Sequence, residues 1–185
     1  MIRFNTFNDA LNFQKFLNAP ERLINHHIRV LETFDSILLE LPLSMKMTID
    51  KKLGQILCVV HDIGKIYIPE ELYEPGHLHE KFGKEFLSSW GIDSSIYTIC
   101  ETHGEWRNYS PSLEESLAIL SDRLWRGARD SELEEMIAHL LCEKTNQSFW
   151  DIYLFLNSIF EKIATQGTIQ IQQDALLHKI KREHL

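Results

Sequence analysis

The amino-acid sequence predicts an all-α fold of about eight helices. Apolar residues recur at intervals of three and four along most of the chain, which is the spacing of one helix face. Proline and glycine divide these stretches into segments of ordinary helix length. The strict alternation that is typical of half-buried strands is scarce, so we expect helices to build the core.

Three helices are predicted in the first third of the chain. Residues 7–18 carry apolar side chains at helical spacing, and Pro20 interrupts the chain after them. Residues 21–41 have the clearest amphipathic pattern, which Pro42 ends. Residues 48–63 form the third helix, which becomes more apolar towards its end.

The middle of the chain predicts further helices with recognisable ends. His79–Trp90 returns to helical spacing, and Gly91 ends this segment. Asp93 or Ser94 is expected to cap a short helix. A Ser-x-x-Glu motif at 112–115 predicts a capping box and opens an apolar helix.

The last third predicts two helices with capping motifs and a charged final helix. Motifs of the same type begin at Ser131 and Ser148. The aromatic-rich segment 149–163 is expected in the core, with a homodimer face as the alternative. Gly167 is expected to end that helix, and Gln173–Arg182 to form the charged one.

Length and charge limit the classes of function. A chain of 185 residues with 44% hydrophobic residues predicts one domain over residues 1–185. The net charge of −8 argues against an extended nucleic-acid partner, although a local metal leaves room for a small phosphorylated substrate. No apolar run approaches the roughly 18 residues of a membrane span. The first residues lack a signal-peptide pattern, and three scattered cysteines suit a reducing compartment, so a cytoplasmic protein is expected.

Histidine and aspartate residues form the most informative pattern in the chain. His61 and Asp62 follow an apolar run directly, and a buried carboxylate is costly without a partner. Further candidate partners lie on or beside predicted helix ends, namely His26, His79, His103 and Asp122. Each has an ordinary explanation alone, such as an ion pair between an aspartate and a nearby arginine. Together they suggest metal ligands that converge from facing helices.

In this order, the residues resemble the motifs of the HD-domain metal-dependent phosphohydrolases. The matching segments are 26–30, 61–65 and 119–124, and the resemblance covers residues 22–126. The spacing of the first motif selects His26 rather than His27 as the ligand. The C-terminal helices, residues 131–185, are expected to pack on this motif core.

The resemblance implies a metal site with six ligands. One ion would be bound by His26, His61, Asp62 and Asp122. His79 and His103 resemble the extra histidines of binuclear members and imply a second ion, with Asp62 as the bridge. Imidazole and carboxylate ligands together suit iron or manganese, with zinc as a further option.

The resemblance also implies an enzyme. The expected reaction is hydrolysis of a phosphoester or phosphoanhydride of a nucleotide-like substrate by a metal-activated water. Asp62 and Lys65 are the candidate catalytic residues, and Lys65 and Arg29 the candidate phosphate contacts. Arg29 could instead pair with an acid. Glu101 or Glu105 is expected to orient a ligand histidine.

The motifs also indicate which branch of this family the chain resembles. The His-His-Glu run and Gly-Tyr-Pro loop of cyclic-dinucleotide hydrolases are missing from the segment around His103. The chain looks more similar to small stand-alone bacterial members, which include dinucleoside tetraphosphate hydrolases and nucleotidases. Its loop between Asp62 and His79 is shorter than expected for the dinucleoside polyphosphate enzymes, which argues against that assignment. The alternative is a non-catalytic HD-like module for binding or signalling. Such modules typically lose the His-Asp pair, which is present here.

Overall fold

In the computed structural model of this protein, the backbone is described for residues 2–183 and the side chains as far as residue 176. Within these limits the chain forms ten α-helices, joined by loops and 3₁₀ turns, and no strand. The helices are α1 (Phe7–Phe16), α2 (Glu21–Glu40), α3 (Leu43–Lys46), α4 (Lys51–Val60), α5 (Leu78–Ser89), α6 (Ser94–Tyr97), α7 (Ile99–Thr102), α8 (Leu113–Leu124), α9 (Ser131–Thr145) and α10 (Phe149–Glu183). The predicted all-α fold is confirmed.

Helix α4 lies at the centre of the molecule. It packs against α2 and α8, which also contact each other, while α1 packs on a further side of it. Every residue from Gly54 to Val60 is buried. This explains why the sequence becomes more apolar along this helix, since a helix surrounded by others needs no polar face.

The helix ends depend on short polar side chains. The predicted capping box at Ser112 is confirmed, and a second one, at Thr6, had not been predicted. Asp93 rather than Ser94 caps α6. Helix α9 begins at Ser131 as predicted, but Asp130 caps it, because its carboxylate accepts a hydrogen bond from the backbone N–H of Leu133.

Two predicted segments have different bounds in the structure. The helix predicted over 48–63 begins at Lys51, after the cap Asp50, and ends at Val60. The segment after Asp93 is broken into α6 and α7. The first difference matters for function, because the chain leaves the helix at His61.

The expectation that Gly167 ends a helix is wrong. Helix α10 continues through this residue, and the segment predicted as a separate helix, Gln173–Arg182, belongs to it. A Cβ atom on Gly167 would lie 2.5 Å from the carbonyl oxygen of Leu124 and 2.6 Å from that of Trp125. The glycine therefore permits close packing of α10 against the end of α8 rather than a turn.

The C-terminal helices pack on the rest of the fold, and α10 contacts α9, α2 and α8. One face of its aromatic-rich part is buried, including Ile152, Leu156 and Phe160, whereas Trp150 is 65% exposed. The predicted core position is therefore confirmed for one face only. Among the described residues, no helix combines the length and the apolar character needed to cross a membrane.

Candidate metal centre

Six candidate ligands meet at one end of α4. His61 caps the C-terminus of this helix, and Asp62 follows in the turn that leads into a 3₁₀ helix, Ile63–Ile66. The other four come from four different segments of the chain: His26 from α2, His79 from α5, His103 from the end of α7 and Asp122 from α8. The predicted convergence is therefore present in the structure.

One half of the cluster contains His26, His61, Asp122 and one oxygen of Asp62. The Nε2 atoms of the two histidines are 3.1 Å apart. Asp62 Oδ2 and Asp122 Oδ1 each lie 3.3 Å from Nε2 of His26. They lie 3.7 and 3.8 Å from Nε2 of His61. The four groups thus surround one small volume.

The other half of the cluster uses the second oxygen of Asp62. Its Oδ1 lies 2.9 Å from Nε2 of His79 and 3.2 Å from Nε2 of His103. The two imidazole nitrogens are 3.5 Å apart. Asp62 thus faces two histidine pairs with its two oxygens, as a bridging carboxylate would.

The opposite ring nitrogens of three histidines are already occupied. Nδ1–H of His61 donates to the carbonyl oxygen of Cys58, and that of His103 to the carbonyl oxygen of Ile99, each at 3.0 Å. Nδ1–H of His79 donates to Glu71 Oε2 at 2.5 Å. In the neutral rings, Nε2 therefore carries a lone pair that faces the cluster.

The protonation equilibria agree with a site that requires positive charge. Burial lowers the pKa of His61 to about 3 against the opposing effect of the carboxylates, so its ring is neutral at neutral pH. Burial alone would raise the pKa of Asp62, but the surrounding imidazoles outweigh it and hold that pKa well below its usual value. Burial also lowers the pKa of His103, yet Asp62 outweighs it and the pKa is raised.

The residues present fit a divalent transition metal. Asp62 Oδ1 is buried without a hydrogen-bond donor, although the Nε2 atoms of His79 and His103 lie 2.9 and 3.2 Å from it. Ligands at about 2.1 Å from an ion are about 3.0 Å apart at right angles and about 3.4 Å apart at the tetrahedral angle. The distances between the candidate ligands bracket these values. Two groups that could hold an ion share Asp62, one with His26 and His61 and one with His79 and His103.

The predicted phosphate contacts lie beside the cluster and are paired with acids. Lys65 Nζ lies 2.6 Å from Asp62 Oδ2. Arg29 Nη2 lies 2.7 Å from Oδ2 of Asp174, a residue of α10. Arg126, one of the nearby arginines expected as an ordinary ion-pair partner of Asp122, holds Asp122 Oδ2 at 2.7 Å. The other oxygen, Oδ1, faces the histidines and also accepts a hydrogen bond from Nε1–H of Trp125 at 3.3 Å.

The residue that orients His79 was not found from the sequence. The prediction named Glu101 or Glu105, but the former pairs with Lys84 and the latter with Asn108. Glu71 instead accepts hydrogen bonds from Nδ1 and from the backbone N–H of His79. Its only signal in the sequence is a carboxylate close before the histidine in a predicted loop.

A glycine lets the second half of the cluster form. A Cβ atom on Gly64 would lie 2.1 Å from the carbonyl oxygen of His79 and 2.9 Å from the backbone nitrogen of Gly83. The glycine therefore brings α5 close to the turn after Asp62, which places His79 against that carboxylate.

His27, the neighbour of the candidate ligand His26, has a different environment. It is fully buried, and its Nδ1–H donates to Gln14 Oε1 at 2.8 Å. Burial holds the pKa of His27 well below its ordinary value. The choice of His26 over its neighbour agrees with this geometry.

The cluster opens into a cavity of about 1090 Å³. Its walls carry basic groups, including Arg22, Arg29 and Arg126, as well as acidic ones such as Glu74. The volume is slightly above the usual range for small-molecule sites, so there is room for more than a phosphate group.

A model of one protein family matches the chain. It is described as the HD domain, and it matches residues 23–147, which is more than half of the chain. The match includes all six candidate ligands. Comparison with curated proteins and with solved structures gives no match.

Proposed function

The chain belongs to the HD-domain family, and from this premise we propose that it is a metal-dependent phosphohydrolase acting on a nucleotide-like substrate. Members of the family are generally metal-dependent hydrolases. The observation that carries the proposal is the complete cluster around Asp62, in which both oxygens of one carboxylate face histidine pairs. A cluster of acceptors alone would be unfavourable without a cation.

The proposal includes two divalent ions, iron or manganese, with zinc as a further option. His26, His61 and Asp122 would hold one, His79 and His103 the other, and Asp62 both. Such ions supply an activated water and charge stabilisation at a phosphate oxygen. The hydrogen bonds that Nδ1–H of His61, His79 and His103 donates fix the orientation of these rings. The Nε2 atoms therefore face the cluster before an ion binds.

The cationic residues of the cavity are proposed to position the phosphate. Lys65 is the nearest to Asp62, and its flexible ammonium group could turn from that carboxylate to a phosphate oxygen. Arg29 lies one helical turn from His26 and offers a planar fork that matches two phosphate oxygens. These contacts would offset the repulsion between the acidic chain and an anionic substrate.

The alternative function is a non-catalytic HD-like module. It has no specific support among the described residues, because the ligands that such modules typically lose are present and clustered.

The test is hydrolysis of a panel of nucleoside phosphates and dinucleoside polyphosphates with added Mn²⁺ or Fe²⁺. We expect release of phosphate or nucleotide that EDTA abolishes. Asp62→Asn should lose turnover by at least about 100-fold while the helical circular dichroism persists, because it removes a charged ligand without changing its shape.

A matched control is His139→Asn, which changes an exposed histidine of α9. It should keep full turnover and metal content. Retained turnover in Asp62→Asn would remove that residue from the reaction. No release from any substrate with any added metal would favour the non-catalytic module.

A further inference from the structure

The cavity has an aromatic side chain at its rim that the cluster does not use. Tyr73 lines the cavity and is 73% exposed, so its ring is open to solvent on the cavity side. The guanidinium of Arg22 lies over the ring, 4.8 Å from its centroid. The arginine supports the ring as a cation–π partner and leaves most of the aromatic surface accessible.

The turn that carries Tyr73 is anchored to the metal cluster. Tyr73 follows a 3₁₀ helix, Pro69–Leu72, and its N–H donates to the carbonyl oxygen of Glu70 at 3.0 Å. Glu71 in the same helix accepts from the backbone N–H of Leu78 and orients His79. The ring position is therefore coupled to that of a candidate ligand.

The pair formed by Tyr73 and Arg22 also lies at a suitable distance from the metal cluster, measured along α2. Arg22, His26 and Arg29 are spaced by four and three residues, so they lie on one helix face. Arg22, whose guanidinium stacks on the Tyr73 ring, is then about 6 Å along the helix axis from His26. This separation suits a substrate with phosphate at the cluster, a sugar in the middle and a planar group at the rim.

We propose that Tyr73, supported by Arg22, is a stacking subsite for the nucleobase, or a similar planar aromatic group, of the phosphorylated substrate. This rests on the proposed function for the position of the phosphate. Stacking tolerates different bases, because every base offers a π-face. Binding through the base would also add affinity for an anionic substrate to a chain whose net charge of −8 disfavours anions.

The first experiment measures binding of adenosine, which has no phosphate, and of AMP to metal-free protein by calorimetry. Tyr73→Leu should weaken both by about 5- to 150-fold, the range that base–aromatic stacking supplies. Tyr73→Phe should stay within about twofold of the wild type, since it keeps the ring. Tyr109→Leu makes the same change at a partly exposed tyrosine outside the cavity lining and should have no effect.

The second experiment compares the KM values of AMP and ribose 5-phosphate with Mn²⁺ present. Tyr73→Leu should raise the KM of AMP and leave the KM of ribose 5-phosphate unchanged, because ribose 5-phosphate has no base. Equal effects on both compounds, or unchanged binding of adenosine, would overturn the subsite. Adenosine binding that depends on Tyr73 without any hydrolysis would instead uphold the subsite and contradict the proposed function.

Discussion

A methyl group added at Gly64 should open the second half of the metal centre. The Cβ atom of Gly64→Ala would lie 2.1 Å from the carbonyl oxygen of His79, whereas carbon and oxygen atoms normally stay about 3.3 Å apart. Because the obstacle is backbone, the start of α5 must move by about 1 Å. The distance of 2.9 Å between His79 Nε2 and Asp62 Oδ1 would change with it.

The displacement gives the expected magnitudes. Overpacking of this kind destabilises by about 1–3 kcal/mol, and a catalytic group displaced by about 1 Å lowers turnover by roughly 100-fold. Gly64→Ala should therefore lower the urea midpoint, kcat and the number of bound ions together. These three quantities are measured by urea denaturation, phosphate release and elemental analysis.

The facing glycine provides a graded control. A Cβ atom on Gly83 would lie 3.2 Å from the backbone nitrogen of Gly64 and 3.3 Å from Cys100, so the neighbours need to yield only slightly. Because Gly83 lies within α5, alanine there also gains about 1 kcal/mol of helix propensity. Gly83→Ala should be close to the wild type. If Gly64→Ala were as stable and as metal-rich as Gly83→Ala, the close-contact argument would be refuted.

Three further changes test other parts of the account. Glu71→Gln should weaken metal affinity by about 10- to 100-fold in a metal-buffer titration, since it removes the charge that orients a ligand; an unchanged affinity would contradict that role. Asp174→Asn should lower the substrate KM by about two- to fivefold at unchanged kcat, because it releases Arg29 from its ion pair. The control Asp151→Asn, at the start of α10, should leave the KM unchanged. An unchanged KM in Asp174→Asn would count against competition between Asp174 and the substrate for Arg29. Metal-free protein should lose stability as the pH falls below 6.5. The folded-state pKa of His61 is about 3, so between pH 6.5 and 3 this histidine binds a proton in the unfolded chain but not in the folded one. The free energy of unfolding should therefore fall by about 1.4 kcal/mol per pH unit for His61. Urea denaturation at pH 7.0, 6.0 and 5.0 in EDTA measures this, and a flat profile would refute it.

The fold class and the set of clustered residues could be predicted from the sequence. Helical periodicity depends on local spacing, so most helices were found with errors of a few residues at their ends. His61 and Asp62 stood out because two ionisable groups followed an apolar run directly. Their partners were identified by type and order, and the fold brings all six together.

The errors arose where long-range contacts decide the structure. Gly167 was expected to end a helix because glycine is a weak helix former, but its role is to let two helices approach closely. Glu71 was missed because its hydrogen bonds to His79 depend on how a loop closes, and no periodicity reports that. The pairing of Arg29 with Asp174 joins residues 145 positions apart, which local spacing does not reveal.

The central claim, that Asp62 is shared by two ions, is tested most directly by counting bound metal per chain. Protein reconstituted with Mn²⁺ and freed of excess ions should contain two ions by elemental analysis. His103→Ala should contain about one, because it removes a ligand from one half of the cluster only, and Asp62→Asn should contain far fewer than the wild type. An unchanged count in His103→Ala would contradict a shared site, and wild-type protein without bound metal would contradict the metal centre itself.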